Sequence, residues 1–521
     1  MRQLKSKLFR MKTWTLILTA IVFFSVSCKR NFDEPNPDML TGDSYWQDED
    51  DAVKGINAVY SGLNRSNNYY NRWMHFLYLL RSDEGFGSGG DIGLNNNMAF
   101  AYTSNNTGSG QWNAIFHVNY RANLVIANVP QISMDETLKK RVVAEAKFLR
   151  ALNYFNLVVF WGRPPLVLAP LLPTDYPPNA TPAQVYAQIE ADLTEALADL
   201  PVSYDAADVG RVTKGAAHGL LAKVYLQQGR FNEAKDVMEW LVTGQGATHY
   251  GLMANYADNF DKDHENNQES VYEIQYKENP AENGDDDTNP GISLNTGTSV
   301  AKFLAPPAPG PGYADGAARR WIVESFEIER TVDNQRDPRA AVSFLYDYAD
   351  ERGPAFTMVY GQTWQQRYGV NDKRVWFRKL LNDHWRNDEN FSSPNNYRMI
   401  RYADILLMYA ECLNEIGQTG NAYAYVDMVR ARVNLPSLTV AKPGLNQEAF
   451  RQQIKHERLL ELAGEGWRYF DMVRWGELAN NLEVLKERDA DFNNFVPGKH
   501  EWYPIPQSDI DNSNLTQNPG Y

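Results

Sequence analysis

His456–Gly476 reads HERLLELAGEGWRYFDMVRWG, and the fold turns on this stretch. On a 3.6-residue wheel, Leu459, Leu460, Leu462 and Ala463 cover about three-quarters of the helical circumference. Glu457, Arg458, Glu461 and Glu465 fall on the remaining stripe, three and four residues apart. A helix that is apolar on most sides is buried on most sides, and glutamates at i,i+4 spacing repel one another. Other segments must bring cations to that row. Arg398, Arg401, Arg430 and Arg432 lie just ahead of it. After Gly464 and Gly466 the apolar pattern restarts with Trp467, Tyr469, Phe470 and Trp475, interleaved with Arg468, Asp471 and Arg474. Two readings stay open. A glycosidase needs two carboxylates about 5–10 Å apart, and Glu461 with Glu465 offers that spacing. The other reading is a buried ion network joining Glu457, Arg458, Glu461 and Glu465 to Arg401 and Arg430.

The segment before it is a helix pair. Ala403, Leu406, Leu407, Ala410 and Leu413 form one apolar face, and Ala422, Tyr425, Val426, Val429 and Val433 form the next. Ala222, Gly229 and Ala234 repeat the spacing of Ala410, Gly417 and Ala422, 188 residues apart. Each copy predicts a helix ending at Gly and a second helix opening at Ala, the form of a tetratricopeptide unit. Further helical spacing runs from Ala52 to Leu63, from Ile115 to Val129 and from Ala144 to Val159. Thr181-Pro182-Ala183-Gln184 predicts a capped helix start. The 271–276 alternation, VYEIQY, predicts a strand. Phe86–Gly110, rich in Gly and Asn, predicts irregular backbone, as do residues 278–316.

At the N-terminus Arg2, Lys5, Lys7, Arg10 and Lys12 precede the apolar run Trp14–Val26, which is too short to span a bilayer comfortably. Ser25-Val26-Ser27-Cys28 follows the pattern of a lipobox. Residues 1–27 are expected to be a signal peptide, and Cys28 the lipidated residue. The second cysteine, Cys412, sits in a helical pattern and reads as an inert core thiol. Loss of residues 1–27 leaves 46 Lys+Arg against 65 Asp+Glu, a net charge near −19. That acidity argues against nucleic acid as a partner. Membrane contact is expected through acyl chains at Cys28.

Sugar rings stack their C–H faces on aromatic rings, and their hydroxyls need amides and carboxylates. Phe86, Phe100 and Tyr102, with Asn95, Asn96, Asn97, Asn105 and Asn106, supply both in one loop. A second set is Tyr313, Trp321, Trp364, Tyr368 and Trp376; for each ring, packing against the body is the competing reading. No cofactor is expected. Calcium has only weak donor sets at Asp261–Glu265 and Asp285–Asp287, and no HExxH, CxxC, Walker or Rossmann pattern occurs.

Several segments, in order, resemble the SusD/RagB family of Bacteroidetes outer-membrane lipoproteins. They are LRSDEG (80–85), QWNAIFHVNYRANLVIANVP (111–130), AEAKFLRALNYFNLVVFWGRPPLV (144–167), GRVTKGAAHGLLAKVYLQQG (210–229), RYADILLMYAECLNEIG (401–417), NAYAYVDMVRARVNLP (421–436), the 456–476 stretch and YPIPQSDIDNSNLTQNPGY (503–521). The resemblance implies an all-α fold, with tetratricopeptide-like pairs forming a right-handed scaffold, an irregular loop-rich insertion and a few short strands. It implies a tether at 28–43 and a single domain at 44–521. In that domain the scaffold covers 44–270 and 397–480, the insertion 271–396, and an irregular end 481–521. It also implies a non-catalytic cell-surface protein that binds oligosaccharide beside a SusC-like TonB-dependent transporter, with peptide as the alternative ligand. Ligand contacts are then expected among Asp83, Phe86, Phe100, Tyr102, Tyr313, Trp321, Trp364 and Trp376.

Overall fold

A computed structural model describes residues 45–65, 68–105, 108–171, 174–279, 296–307, 312–347, 358–369 and 373–521. The expected signal peptide, Cys28, the expected 28–43 tether, Asn106 and Asp285–Asp287 lie outside the described residues. Residues 48–521 make one compact unit.

Helices carry the scaffold. In chain order the labelled ones are α1 (Glu49–Arg65), α2 (Trp73–Leu80), α3 (Ile92–Met98), α4 (Ser109–Asn128), α5 (Glu136–Trp161), α6 (Pro182–Asp199), α7 (Lys214–Gln227), α8 (Phe231–Val242), α9 (Tyr402–Glu415), α10 (Thr419–Arg432), α11 (Gln447–Glu461) and α12 (Arg468–Arg474). Each packs on its sequence neighbour through α4–α8, and α9 packs on α10 and α11. The two sequence repeats, α7/α8 and α9/α10, touch directly through α8 and α9. A long excursion between them therefore leaves and returns to the same place. Both repeats turn at a glycine in the left-handed region, Gly229 (φ 69°) and Gly417 (φ 81°), where a side chain would strain the backbone. The expected cap on α6 is present: Thr181 N–H donates to Gln184 Oε1 at 2.9 Å, and Gln184 N–H donates to Thr181 Oγ1 at 3.3 Å.

The predicted strand is β2 (Ser270–Ile274), paired antiparallel with β8 (Tyr397–Arg401). Among the described residues three other small ladders stiffen the excursion: β1 (Gly85–Gly87) with β3 (Gly316–Ala318), β4 (Phe344–Leu345) with β7 (Trp376–Phe377), and β5 (Met358–Val359) with β6 (Gln362–Thr363). Within the stretch expected to be irregular over 86–110, β1 takes the first two residues, α4 begins at Ser109, and the helix α3 lies between them. Asp91 caps it by accepting from Leu94 N–H at 2.8 Å, and residues 94–98 contain no glycine to break it.

The 456–476 stretch differs from the wheel in one respect. Helix α11 ends at Glu461, so Leu462, Ala463 and Glu465 lie beyond it in a turn. Gly464 (φ 73°) and Gly466 (φ 90°) make that turn, and a Cβ on Gly466 would sit 2.5 Å from Tyr78 Cβ. The turn nevertheless returns Glu465 to the same cluster as Glu457 and Glu461. On its other side, Leu460 and Ala463 join the insertion's own core beside Phe344, Trp376 and Phe377. One short segment thus ties scaffold to insertion.

Candidate functional site

The acidic row is wholly engaged. Glu457 accepts from Arg339 Nη1 (2.7 Å) and Arg430 Nη1 (2.9 Å). Glu461 accepts from Arg432 Nη2 (2.5 Å), Arg401 Nη1 (3.0 Å) and Arg339 Nη1 (3.1 Å). Glu465 accepts from Arg401 Nη2 (2.6 Å) and Lys379 Nζ (2.7 Å). With Asp337 and Glu269, which pair with Arg339, Arg401 and Arg432, five carboxylates face five cations. Arg458 points the other way, to Asp404 and Asp471, both at 2.8 Å. Arg398 does not join the row; it lies 3.4 Å from Glu273 and donates to the Asp261 carbonyl. Sequence reading missed Arg339 and Lys379, which come from the insertion.

This geometry does not suit general acid catalysis. Burial would raise the Glu461 carboxyl, but Arg432, Arg401 and Arg339 overcome it and hold it far below the usual carboxylate range. A catalytic acid needs a raised pKa and access to substrate, and Glu461 is fully buried.

Five of the proposed ligand contacts also lie in the core. Asp83 is fully buried and clamped by Arg468 Nε (2.8 Å) and Arg488 Nη1 (3.0 Å). Phe100 packs on Phe492, Phe495 and His500, and Tyr102 on His500 and Tyr503, because the C-terminal segment folds over their loop. Trp364 and Trp376 fill the insertion's core. None of these five presents a face to a ligand. The expectation is corrected for each: tertiary cover takes the ring or charge.

The remaining three lie on or beside the β1–β3 ladder in sequence. Phe86, on β1, is half-buried with the Arg319 guanidinium 4.0 Å over its ring. Trp321 donates its Nε1–H to the Asp83 carbonyl at 2.6 Å, and Arg488 lies 4.4 Å over its ring. Tyr313 is different, with 51% of its surface exposed. It stacks on Phe303 at 5.1 Å and stands 6.2 Å from Phe391. Trp73 extends the patch at 6.0 Å from Phe303, and Arg72 lies 4.1 Å over the Phe303 ring. Trp73, Phe303 and Phe391 had no periodic signal in the sequence; they meet only in three dimensions.

Polar groups tie the Gly-rich loop to the segment that follows Tyr313. Ser88 donates its backbone N–H to Asp315 O (3.1 Å) and its hydroxyl to Ala314 O (2.6 Å), fixing the Gly-rich loop against residues 313–315. Asn95 Nδ2 donates to Gly89 O at 2.9 Å. Burial, with the nearby Asp91 charge, pushes the Asp315 carboxyl up to about 6. Aromatic faces beside amides and carboxylates are the chemistry that sugar hydroxyls and C–H faces require.

Glu84, next to Asp83, gives a pH prediction. Burial pushes its carboxyl up to about 8 against the pull of Arg468. A carboxyl raised in the folded state holds a proton that the unfolded chain has lost. Its contribution therefore costs stability as pH rises from about 4.5 towards 8, by about 1.4 kcal/mol per pH unit. Glu84→Gln should raise the denaturant midpoint at pH 8 more than at pH 5; equal shifts at both would contradict a protonated Glu84.

In the segment 261–265, weighed for calcium, two carboxylates accept backbone N–H groups. Asp261 Oδ1 accepts from Asp263 N–H (2.6 Å), and Glu265 Oε1 accepts from Asn396 N–H (2.7 Å). Cys412 is buried, and burial pushes its thiol well up.

A helical scaffold that holds an exposed ring platform on an irregular insertion defines a ligand-binding protein whose site is grafted on loops. The sequence model of the SusD family matches residues 242–521, and a second, described as "Starch-binding associating with outer membrane", matches residues 43–226. The chain belongs to the SusD family. It is similar to SusD-like protein P25 of Formosa agariphila, with 24% identity over 96% of this chain and 97% of that one. A solved SusD superfamily protein from Bacteroides vulgatus is 26% identical, covering 92% of this chain and 100% of that one, with a TM-score of 0.80. A solved laminarin binding SusD-like protein is 29% identical, covering 91% of this chain and 100% of that one, with a TM-score of 0.74.

Proposed function

We propose that this protein is a non-catalytic, cell-surface lipoprotein that captures oligosaccharide on the Tyr313 platform and delivers it to a TonB-dependent transporter of the outer membrane. The observation that carries the ligand reading is the half-exposed Tyr313 ring, stacked on Phe303 with Phe391 beside it and the Lys302 ammonium 5.9 Å from its centre. The laminarin binding relative supports a glycan as the ligand class. The lipobox ending at Cys28 supports membrane attachment by acyl chains, and the family supports the transporter as partner.

Isothermal titration of the soluble chain against a panel of laminari-, malto- and xylo-oligosaccharides tests the reading. Binding of at least one neutral glycan is expected. Failure of every glycan, with clear binding of a peptide library, would replace oligosaccharide by peptide. Mass spectrometry of membrane-extracted protein should show a diacylglycerol adduct on Cys28 and a chain starting there; an unmodified Cys28 would remove the anchor.

A further inference from the structure

A second cleft lies on other elements. It holds about 220 Å³ between residues 255–261 and 378–384, with Val342 on its wall. It shares no lining residue with the Tyr313 platform. Its apolar lining is Phe260, Val342 and Leu381. The two cations in its wall are already neutralised. Arg378 Nη2 pairs with Asp383 Oδ2 at 2.8 Å, and Lys379 Nζ with Glu465 Oε1 at 2.7 Å. Lys379 also lies 4.6 Å over the Phe260 ring, which fixes that ring in place. The rim is Asn255, Asp258, Asp261 and His384, an amide, two carboxylates and an imidazole. Asn255 Nδ2 donates to Asp258 Oδ1 at 2.6 Å, orienting both at the rim.

These features select a chemistry. Spent cations and an acidic rim disfavour an anionic ligand. An apolar lining takes the C–H face of a ring, while carboxylate, amide and imidazole take its hydroxyls. The volume falls below the roughly 300 Å³ at which pockets for drug-sized ligands begin, so it suits a single ring and not a chain. We propose that this cleft is a second saccharide subsite that takes one neutral pyranose unit through its hydroxyl groups. The proposal rests on the glycan reading above, and it makes the protein bivalent towards a polysaccharide. Two weak sites on one polymer raise its retention by effective concentration, without any new contact.

Titration of the full soluble chain with laminarihexaose and maltohexaose tests it. Wild type should show two binding events with at least one of these probes. Tyr313→Ala should weaken one event roughly 30-fold and leave the other. Val342→Trp, which fills the cleft, and Asp258→Ala, which removes a rim acceptor without adding bulk, should each weaken that remaining event at least tenfold. Thermal melts of both variants establish that they fold. A single event in wild type, weakened by Tyr313→Ala and unchanged by Val342→Trp and Asp258→Ala, overturns the second subsite and leaves the platform standing. Absence of binding by both probes to wild type overturns the second subsite; the glycan reading falls with it only when the xylo-oligosaccharides of the panel also fail.

Discussion

Glu461→Ala should destabilise the protein by about 3–5 kcal/mol, the range for breaking a buried ion pair from one side. Three guanidinium groups, of Arg339, Arg401 and Arg432, converge on that one carboxylate, and all are nearly or wholly buried. Its removal leaves five cations facing four carboxylates in a region that water does not reach, together with a cavity. The loss should appear as a lower denaturant midpoint with little change in slope. Glu461→Gln keeps the volume but not the charge and should recover only a small part. A variant of unchanged stability that lost only ligand binding would return Glu461 to the active-site reading.

Asp83→Ala should have a comparable effect, again about 3–5 kcal/mol, with an added local signature. Asp83 sits two residues before β1 and is fixed by Arg468 of α12 and by Arg488. Its backbone carbonyl also accepts from Trp321, and Arg319 N–H donates to the Glu84 carbonyl at 2.7 Å. This clamp joins the keystone helix α12 to the ladder that positions the Gly-rich loop. Hydrogen exchange in residues 85–91 should therefore speed up beyond the global change. Burial works to raise the Asp83 carboxyl, but Arg468 and Arg488 keep it low. Its stabilisation is thus present above the ordinary carboxylate range and is lost as pH falls through the lowered value. Uniform exchange across the chain would show that Asp83 stabilises the scaffold without positioning the loop.

Much of the scaffold was legible in sequence because its rules are local. Helical spacing, the Thr181–Gln184 cap and the repeated Ala–Gly–Ala spacing each act over a few residues, and each fixes a piece of backbone. The need for cations around Glu457 and Glu461 was legible too, since a mostly apolar helix leaves no room for unpaired charge. The identity of those cations was legible only in part. Arg401, Arg430 and Arg432 are near in sequence. Arg339 and Lys379 approach from 118 and 86 residues away through an irregular segment. Glu465 was misplaced on the helix because the wheel ran past Gly464, where the backbone turns. The site was least legible. Composition marks Phe100, Tyr102, Trp364 and Trp376 as rings in loops, but it does not reveal that residues 492–503 or the insertion's own core cover them. Tyr313 stayed exposed for the opposite reason: Phe303 stacks on it, and Phe391 and the Lys302 ammonium stand near it, but half of its surface is left open.

The division of labour between keystone and platform is tested most directly by titrating wild type and Tyr313→Ala with the tightest-binding glycan of the panel. Tyr313 is exposed, so its truncation should change stability by no more than about 0.5 kcal/mol. As the central ring of the platform it should behave as a hot spot worth about 2 kcal/mol, or roughly a 30-fold loss of affinity. That loss at unchanged stability is the predicted result. Undiminished affinity in Tyr313→Ala would contradict the account and move the ligand to another face of the protein.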